Sequence, residues 1–273
     1  MLKLRVVTAA VLVFIVLAAI YVLPAGYFAF FLSVVILVGA WEWGQLAGMQ
    51  SRTGRLGYLA LLSVILLLCA HYFDAILNPI LVVGAAWWLF ALVPILLYPR
   101  YSQFWGNTPL LGIVGILVLI PAWMGIVFLR SQPQFPTLIL MLFAIVATAD
   151  IGAYFSGRAW GRHKLASAIS PNKTWEGFWG GLLACSLLLV LAGLVYSSKQ
   201  QTLTLAAWAL LLVFGLVLAV ASVIGDLLES LVKRLRGVKD SGAMLPGHGG
   251  ILDRIDSITA AVPFYALLIL YMG

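Results

Sequence analysis

The stretch Leu203–Ile224, LTLAAWALLLVFGLVLAVASVI, decides the fold, because it runs for 22 residues without a charged side chain. A helix that crosses a bilayer needs about 20 such residues, so this stretch predicts a transmembrane helix. The rest of the chain has the same character: 64% of its 273 residues are hydrophobic, 9% are charged, and the mean hydropathy is +1.11. Soluble domains carry roughly 25% charged residues, so the composition excludes that class and predicts an integral membrane protein.

The same length rule predicts nine membrane-spanning helices. They are centred within Val6–Leu23, Tyr27–Leu46, Leu56–Tyr72, Pro79–Tyr98, Pro109–Leu129, Thr137–Phe155, Trp175–Tyr196, Leu203–Ile224 and Ile258–Met272. The last span is short and can extend back toward Asp253. The first resembles a signal peptide, but its apolar run is long and no A-x-A-like site follows, so we expect a retained anchor. We therefore predict an all-α, polytopic bundle of about nine transmembrane helices that forms one membrane domain.

Positive charges indicate how this bundle is oriented. With nine spans, the N-terminus and the loops after spans two, four, six and eight share one side, which holds 14 of the 16 Lys and Arg residues. The other two are Arg130 and Lys199. Because cytoplasmic loops are enriched in Lys and Arg, we predict a bacterial-type inner membrane protein whose N-terminus and long polar loops face the cytoplasm. The same bias explains the net charge of +7, so no nucleic-acid partner is expected.

The charged residues divide the chain into two parts. Seven of nine acidic and ten of sixteen basic residues lie between Asp150 and Asp256. We therefore predict a scaffold half (residues 1–149) and a catalytic half (residues 150–273) with cytoplasmic polar loops. Cys69 and Cys185 lie in apolar runs without a C-x-x-C pattern, so they are expected to be small core residues rather than disulfide partners or zinc ligands.

The sequence becomes polar directly after the opening stretch. GDLLES (Gly225–Ser230) leads into the run Ser230–Asp256, which together with Glu229 holds nine charged residues and five glycines. Two further patches lie upstream: Asp150 with the segment AYFSGRAWGRHK after it, and SPNKTWEG (Ser170–Gly177). Charge in or near a bilayer is costly, so these four patches are the candidates for function.

Acidic residues recur at helical spacing in two of these patches. Asp226 precedes Glu229 by three residues and Ser230 by four, so a helix would place all three on one face. Asp253 and Asp256 are likewise three residues apart. Oxygen ligands of this kind suit Mg²⁺, with water and substrate phosphates completing its shell. The spacing leaves open a second interpretation, in which these carboxylates only pair with nearby cations: Lys233, Arg234 and Arg254.

Two features of these patches suit phosphate groups. Glycines let backbone N–H groups approach phosphate oxygens, although a flexible turn between helices would use glycines as well. The glycines of the run are Gly237, Gly242, Gly247, Gly249 and Gly250. Asn172 and Thr174 are candidate caps at the start of span seven, where the helix N-terminus and Lys173 suit an anion. The alternative there is an ordinary capped helix.

Three further residues carry weaker signals. His248 could be a metal ligand or a proton donor, but a lone histidine between glycines is weak evidence. Asp150 follows IVATA at membrane depth, so it is expected to pair with Arg158 or with a bound cation. Glu42 stands between two tryptophans, and this pattern is typical of an interfacial helix end.

These polar residues, in this order, resemble the phosphatidate cytidylyltransferase family, the CDP-diacylglycerol synthases. The family's pattern reads S-x-apolar-K-R, four residues, K-D, and later P-G-H-G-G-apolar-x-D-R-apolar-D. The chain matches it without a gap at Ser230, Lys233, Arg234, Lys239, Asp240, Pro246, Gly247, His248, Gly249, Gly250, Asp253, Arg254 and Asp256. SPNKTWEG and GDLLES also look like the family's, whereas residues 1–149 share only general hydrophobicity.

The resemblance implies a Mg²⁺-dependent nucleotidyltransferase of phospholipid biosynthesis, in which CTP and phosphatidate give CDP-diacylglycerol and diphosphate. It implies Asp226 and Asp253 as metal ligands, Asp256 and Glu229 as further ligands, and room for a second cation. The catalytic candidates are Asp226, Lys233, Arg234, Lys239, Asp240, His248, Asp253 and Arg254. The candidates for substrate binding are Ser170, Asn172, Lys173, Thr174, Glu176, Gly247, Gly249 and Gly250. Membrane lipids and a second copy of the chain are the expected partners.

Three other functions use similar features. A transporter could also bury charge among nine spans, but here the charge lies at one face and no repeat is visible. A CTP-dependent lipid kinase would use the same nucleotide and would release CDP. A CDP-alcohol phosphotransferase is disfavoured, because its D-G-x-x-A-R pattern is absent from the sequence.

Overall fold

Helices form nearly all of this protein, as expected where backbone N–H and C=O groups must satisfy one another in a bilayer. The computed structural model describes residues 2–199 and 202–272. The side chains of residues 2–5 and 199 lie outside this description, so Lys3, Arg5 and Lys199 of the charge count are not placed.

The elements follow one another as eleven helices and one hairpin in the described ranges. They are α1 (Leu2–Val22), α2 (Ala25–Ala47), α3 (Arg52–His71), α4 (Phe73–Phe90), α5 (Leu92–Leu97), α6 (Ser102–Trp105), α7 (Thr108–Ser131), α8 (Phe135–Trp160), β1 (Lys164–Ala166), β2 (Ser170–Thr174), α9 (Trp175–Lys199), α10 (Leu205–Leu235) and α11 (Leu252–Met272). Residues 236–251 between α10 and α11 are called the glycine loop below.

Each of the nine predicted spans coincides with a helix or helix pair of the described chain. Eight are long and apolar enough to cross a membrane, and α1 contributes a shorter apolar stretch, Val6–Val22. The prediction of an all-α polytopic bundle is therefore confirmed. The last span extends back toward Asp253 as expected, since α11 begins at Leu252. One boundary differs from the prediction: α10 continues as a helix past Ile224 to Leu235.

The fourth predicted span is broken into α4 and α5. Pro94 lies in α5, and it has no N–H to donate to the carbonyl of Phe90 one turn earlier. The helix consequently ends at Phe90 and restarts at Leu92. Together the two helices still form one apolar segment, Phe73–Leu97.

The packing follows from where small residues lie. α7 is the central helix, with α2, α3, α4, α8 and α11 around it. α8 packs along α9 at Gly181, where a side chain would strike the carbonyl of Ala149. α10 packs along α11 at Gly225, where a side chain would strike the carbonyl of Asp256. Close approach of helices at small residues is the usual packing mode in membranes, and here it brings α8, α9, α10 and α11 together.

The glycine loop is joined to the scaffold half by Arg236. Its guanidinium donates from Nε to the carbonyl of Leu46 at 2.8 Å, and from Nη2 to those of Ala47 and of Gly106, the latter at 3.0 Å. Leu46 and Ala47 end α2, and Gly106 precedes α7. Arg236 therefore satisfies carbonyls that a helix C-terminus leaves free, and it brings the connections after spans two, four and eight to one end.

Two more hydrogen bonds extend this end of the bundle. Nε of Arg234 donates to the carbonyl of Ile169 in the hairpin at 3.0 Å. Thr8, near the start of α1, donates to the carbonyl of Pro246 at 3.1 Å. The N-terminus and all four positively charged loops thus share one end of the bundle, as the span count predicts. That this end faces the cytoplasm stays a prediction.

Candidate active site

The polar patches of the catalytic half come together at the shared end of the bundle. GDLLES forms the last turns of α10, and Asp253 and Asp256 lie in the first turns of α11. Because α10 and α11 pack closely at Gly225, their acidic residues face one another across this contact. The hairpin carries Lys173 over the same point. GDLLES, SPNKTWEG and the charged run therefore meet at one place in the structure.

Lys233 is held between two carboxylates from different helices. Its Nζ lies 2.8 Å from Oε2 of Glu229, one turn earlier on α10, and 2.7 Å from Oδ1 of Asp253 on α11. All three side chains are largely buried, with 13% of Lys233, 3% of Glu229 and 7% of Asp253 exposed. Paired charges that are removed from water are costly to break, so this triad fixes α10 against α11.

Asp253 also orders the glycine loop. Its Oδ2 accepts hydrogen bonds from the backbone N of Ser241 at 3.0 Å, from Oγ of Ser241 at 2.9 Å and from the backbone N of Gly250 at 2.8 Å. With Lys233 on Oδ1, one lone pair of Oδ1 is left for a further ligand within the described contacts. Asp253 therefore connects both ends of the loop to the lysine.

A second ion pair joins the hairpin to α10. Nζ of Lys173 lies 2.6 Å from Oδ2 of Asp226, and Oδ1 of the same carboxylate accepts from Oγ of Ser230 at 3.2 Å. The contact confirms that Asp226 and Ser230 share one helix face. Both charges are partly exposed, at 22% for Lys173 and 32% for Asp226. The pair is therefore within reach of a ligand that enters from the membrane surface.

The interpretation in which the carboxylates only pair with nearby cations holds for one of those cations. Lys233 does pair with Glu229 and Asp253. Arg234 instead binds the carbonyl of Ile169, and Nη2 of Arg254 donates to the carbonyl of His248 at 3.0 Å. The arginines therefore hold loop backbone rather than acidic side chains.

Asp150 lies in α8 beside this cluster. The expected pairing with Arg158 is wrong, because eight residues of helix separate the two by about 12 Å along the axis. Arg158 donates to the hydroxyl of Tyr154 at 3.2 Å. Asp150 instead interacts electrostatically with charged side chains of three other elements: Lys173, Asp226 and Asp256.

Negative charge exceeds positive charge around these side chains. Five carboxylates, from Asp150, Asp226, Glu229, Asp253 and Asp256, face two lysines, Lys173 and Lys233. Oε1 of Glu229 is buried and has no hydrogen-bond partner in the described chain. No three acidic, histidine or cysteine side chains within the described ranges already converge as a metal site. The donor chemistry, the charge excess and the unpartnered oxygen nevertheless fit a hard divalent cation.

The glycine loop lines an open cavity of about 590 Å³ next to this cluster. Four of the predicted catalytic side chains line it: Lys239, Asp240, His248 and Arg254. Lys239 and Asp240 are exposed and form no ion pair or hydrogen bond with the described part of the chain. Nδ1 of His248 is buried without a hydrogen-bond partner among the described residues. The cavity thus offers free cations and donors to an anionic ligand.

Three glycines of this loop have a positive φ: Gly237, at 67°, and two in the PGHGG segment. Gly247 and Gly249 have φ of 75° and 81°, in the left-handed region where side chains are disfavoured. A side chain at Gly249 would also press on Oδ2 of Asp253. Gly247 and Gly249 form the turn of the PGHGG segment, whose backbone lines the cavity.

The hairpin corrects the expected role of SPNKTWEG. Thr174 is a helix cap as predicted, since its Oγ1 accepts from the backbone N of Gly177 at 3.1 Å. Asn172 is not a cap, because it lies inside β2, two residues before the strand ends. Ser170, at the start of β2, is paired with Ala166 of β1. The strand pairing, rather than the helix N-terminus, sets the direction of Lys173.

Glu176 closes this hairpin. Its carboxylate accepts from the backbone N of Arg162 at 3.1 Å and from the backbone N of His163 at 3.2 Å, and Nδ1 of His163 lies 2.7 Å from Oε1. The backbone N of Trp175 also donates to the carbonyl of His163 at 2.9 Å. Glu176 therefore holds the loop that carries Lys173, and no contact joins it to the carboxylate cluster in the described chain.

Sequence reasoning missed Glu42 of α2. It is not an interfacial helix end, because only 2% of it is exposed and the glycine loop covers it. Its Oε2 accepts from the backbone N of Leu252 at 2.9 Å and from Oγ of Ser241 at 3.3 Å. The sequence pattern was misleading, because tryptophans such as Trp41 and Trp43 on either side of Glu42 are typical of a membrane surface. The one usable signal was its rarity: it is one of two acidic residues in the first 149.

Taken together, the geometry suits the meeting of two polyanions. A partly buried acidic cluster can hold a cation. Two lysines beside it are oriented by ion pairs, and an open cavity lined by further basic side chains adjoins it. Such sites lower barriers by electrostatic stabilisation and alignment rather than by proton abstraction. Phosphoryl transfer and nucleotidyl transfer are reactions that depend on such stabilisation.

Comparison with known proteins agrees with this chemistry. The model of a family described as the cytidylyltransferase family matches residues 3–272. The chain is similar to the phosphatidate cytidylyltransferase of Pseudomonas aeruginosa, with 42% identity over 100% of this chain and 98% of the relative. It is similar to that of Haemophilus influenzae, with 39% identity over 97% of this chain and 98% of the relative. With the Brucella suis enzyme of the same name it shares 49% identity over 52% of this chain and 50% of the relative.

Proposed function

The chain belongs to the cytidylyltransferase family, and from this premise we propose that it is the enzyme that converts CTP and phosphatidate to CDP-diacylglycerol and diphosphate. Two relatives named for this reaction cover essentially the whole chain. The observation that carries the proposal is the acidic cluster with its two lysines, set directly beside the cavity of the glycine loop. The reaction places the protein in phospholipid biosynthesis.

The chemistry requires little from a general base. An oxygen of the phosphatidate phosphate forms a bond to the α-phosphorus of CTP, and the bond from that phosphorus to the bridging oxygen of the β-phosphate breaks. The nucleophile is already anionic, so the barrier arises from the repulsion between two polyanions and from their alignment. This demand matches a site that is rich in fixed charge and holds one histidine, His248.

We propose Asp226, Asp253, Asp256 and Glu229 as the residues that hold Mg²⁺. The charge excess and the unpartnered Oε1 of Glu229 support this set, and Asp253 has one free lone pair on Oδ1. Asp150 adds a fifth carboxylate, which supports room for a second cation. When bound, Mg²⁺ would supply positive charge to the phosphate oxygens of CTP.

The basic residues divide into two groups by the contacts they already make. Lys173 and Lys233 are oriented by carboxylates, so we assign them to the phosphates that react beside the acidic cluster. Lys239 and Arg254 line the cavity with donors to spare, so we assign them to the triphosphate and the departing diphosphate. Arg234 acts through Ile169, because its guanidinium holds the hairpin that carries Lys173.

The lipid substrate would enter from the bilayer. Transfer of the two acyl chains of phosphatidate from the bilayer into water is costly, so the lipid must reach the site with its acyl chains still in the membrane. Lys173 and Asp226 are the partly exposed members of the cluster, and they lie on the hairpin and on α10. We therefore assign the phosphatidate headgroup to this pair and CTP to the cavity of the glycine loop.

One assay tests the proposed reaction. Purified full-length protein in phosphatidate-containing vesicles is given CTP labelled at the α-phosphate, with Mg²⁺ or with EDTA. We expect labelled CDP-diacylglycerol to form in Mg²⁺ and to be lost in EDTA. Transfer of a γ-phosphate with release of CDP would replace this proposal with a lipid kinase, and no turnover of either kind would return the transporter as the main alternative.

We also propose that the site faces the cytoplasm of the inner membrane, where CTP is available. The support is the excess of Lys and Arg at this end of the bundle. The test uses two cysteine variants: Ala243→Cys in the glycine loop and Gln134→Cys at the opposite end, both exposed positions. Cys69 and Cys185 are buried, so they contribute little background. In intact spheroplasts, a membrane-impermeant thiol reagent should label position 134 and spare 243; the reverse would invert the topology.

The expected homodimer stays a prediction. Chemical crosslinking in native membranes, followed by mass measurement of the detergent-solubilised protein, would test it.

A further inference from the structure

Glu42 is the point where the scaffold half enters the site. It lies on α2, five residues before that helix ends at Ala47, and it is almost fully buried. Its Oε1 has no hydrogen-bond partner in the described chain. An unpartnered buried carboxylate oxygen costs free energy, so a carboxylate is a poor choice here for stability alone.

The other oxygen of this carboxylate holds the two ends of one loop segment. Oε2 accepts from Oγ of Ser241 and from the backbone N of Leu252, which is the first residue of α11. The first N–H groups of a helix lack partners within it, so Glu42 caps α11 from a different helix. The segment between these two contacts contains the PGHGG turn and much of the cavity wall.

Ser241 links Glu42 to the acidic cluster. It is 1% exposed, and both its backbone N and its Oγ donate to Oδ2 of Asp253. Asp253 in turn binds Lys233. A chain of contacts therefore leads from Glu42 through Ser241 and Asp253 to the lysine between α10 and α11.

Two glycines of the loop lie directly against the side chain of Glu42. A Cβ at Gly242 would overlap Oε1 of Glu42, and its three nearest atoms would all belong to that side chain. A Cβ at Gly250 would overlap Oε2 of Glu42 and Oγ of Ser241. Neither glycine has a positive φ, so the backbone itself would accept alanine at both positions. The loop backbone passes over the carboxylate at these two points, and the glycines permit it.

We propose that Glu42 is a positioning residue: it fastens the base of the glycine loop and thereby sets the place of Asp253 and of the CTP cavity. It touches neither the lysines nor the cavity, so it acts through Ser241 and Leu252. The inference rests on the proposed function for its kinetic consequence, and its structural consequence can be measured without turnover.

The structural test is hydrogen–deuterium exchange of peptides covering residues 241–252. In Glu42→Ala, the amides of this segment should exchange at least about tenfold faster than in the native chain, because the cap on Leu252 is lost. The matched control is Tyr58→Phe, which removes another buried hydrogen bond of the scaffold half, from Tyr58 to the carbonyl of Gly112 at 2.9 Å. Unchanged exchange in Glu42→Ala would overturn the proposal even if the native chain proves to have a different activity.

The kinetic test compares the KM for CTP, and kcat per folded molecule, between the native chain and its variants. The glycine loop lines the cavity assigned to CTP, so its displacement should weaken CTP binding as well as alignment. We expect kcat/KM for CTP to fall about ten- to a hundredfold in Glu42→Ala, chiefly through KM. Glu42→Gln keeps the accepting oxygen and should recover most of the loss. A purely structural role would lower the yield of folded protein and leave KM unchanged, as expected for Tyr58→Phe.

Gly242→Ala keeps the proposal testable if Glu42→Ala does not fold. The three atoms nearest to the added methyl group all belong to Glu42, so this variant should raise KM for CTP as well. In the Glu42→Ala background, where the double variant can be purified, the same methyl group should have little further effect. A Gly242→Ala enzyme with native KM, or effects that multiply in the double variant, would contradict the role of Glu42.

Discussion

The two halves of the chain meet at one end of the bundle, and they differ in the number of charged side chains that they contribute there. The catalytic half contributes many charges, and ion pairs join the hairpin to α10 and α10 to α11. The scaffold half contributes carbonyls for Arg236 and one buried carboxylate, Glu42. In the charged cluster of the catalytic half, we expect each substitution to reduce turnover. In the scaffold half, we expect one residue, Glu42, to determine the position of the whole glycine loop.

The largest effect should follow from a change at the centre of the charged region. Asp253→Asn removes a predicted Mg²⁺ ligand and a negative charge that pairs with Lys233, so we expect turnover per folded molecule to fall about a thousandfold. The measurement is CDP-diacylglycerol formation by monodisperse protein at saturating CTP and phosphatidate.

The comparison is sharpened by Asp74→Asn, which removes the other, exposed carboxylate of the scaffold half. This control should retain native turnover. Near-native turnover in Asp253→Asn would remove Asp253 from the metal site and from catalysis.

A smaller loss is expected at the edge of the site. Lys173→Ala deletes the partner of Asp226 on the hairpin, and we expect KM for phosphatidate to rise about tenfold, the size of one hydrogen bond from a charged group. Lys164→Ala, an exposed lysine of β1 in the same hairpin, should leave both KM values unchanged. If Lys173→Ala changes KM for CTP instead, the two substrate positions must be exchanged; native kinetics for both would remove Lys173 from the site.

The smallest effect on chemistry should come from the joint between the halves. Arg236→Ala leaves the carbonyls of Leu46, Ala47 and Gly106 without their donor, so we expect a loss of about 2–3 kcal/mol in stability and a lower thermal midpoint. KM for CTP should stay within a factor of about two, because Arg236 points away from the cavity toward α2. Arg100→Ala, at an exposed position, is the control. A native midpoint in Arg236→Ala would show that the halves do not depend on this joint.

Much of this architecture could be predicted from the sequence because it depends on local composition. Apolar runs of about 20 residues define the helices whatever they pack against. The i, i+3 and i+4 spacing of Asp226, Glu229 and Ser230 likewise gave the correct helix face, since the geometry of one helix is sufficient for it.

The parts that were wrong depend on contacts between distant residues. Asn172 was expected to cap a helix, but pairing between β1 and β2 places it in a strand. For Asp150, one of the two expected partners was Arg158 on its own helix, whereas its charged neighbours come from the hairpin, α10 and α11; the other expected partner, a bound cation, stays a prediction. Glu42 lies 199 residues before Ser241, and no local pattern at either position reveals their contact. Such pairings become visible only once the helices are packed.

The length of α10 has a consequence for where the reaction takes place. At about 1.5 Å per residue, its 31 residues extend for roughly 46 Å, well beyond the ~30 Å of hydrocarbon in a bilayer. If Leu205 lies at one face, the hydrocarbon is crossed near Gly225, one residue before the first carboxylate. Asp226 then lies at the depth of the lipid headgroups, and Lys233 lies about 10 Å farther along the helix, beyond the hydrocarbon but covered by protein. The length of α10 therefore places the site at the level of the lipid headgroups. A lipid phosphate reaches this level without leaving the bilayer, and a nucleotide reaches it without entering the hydrocarbon.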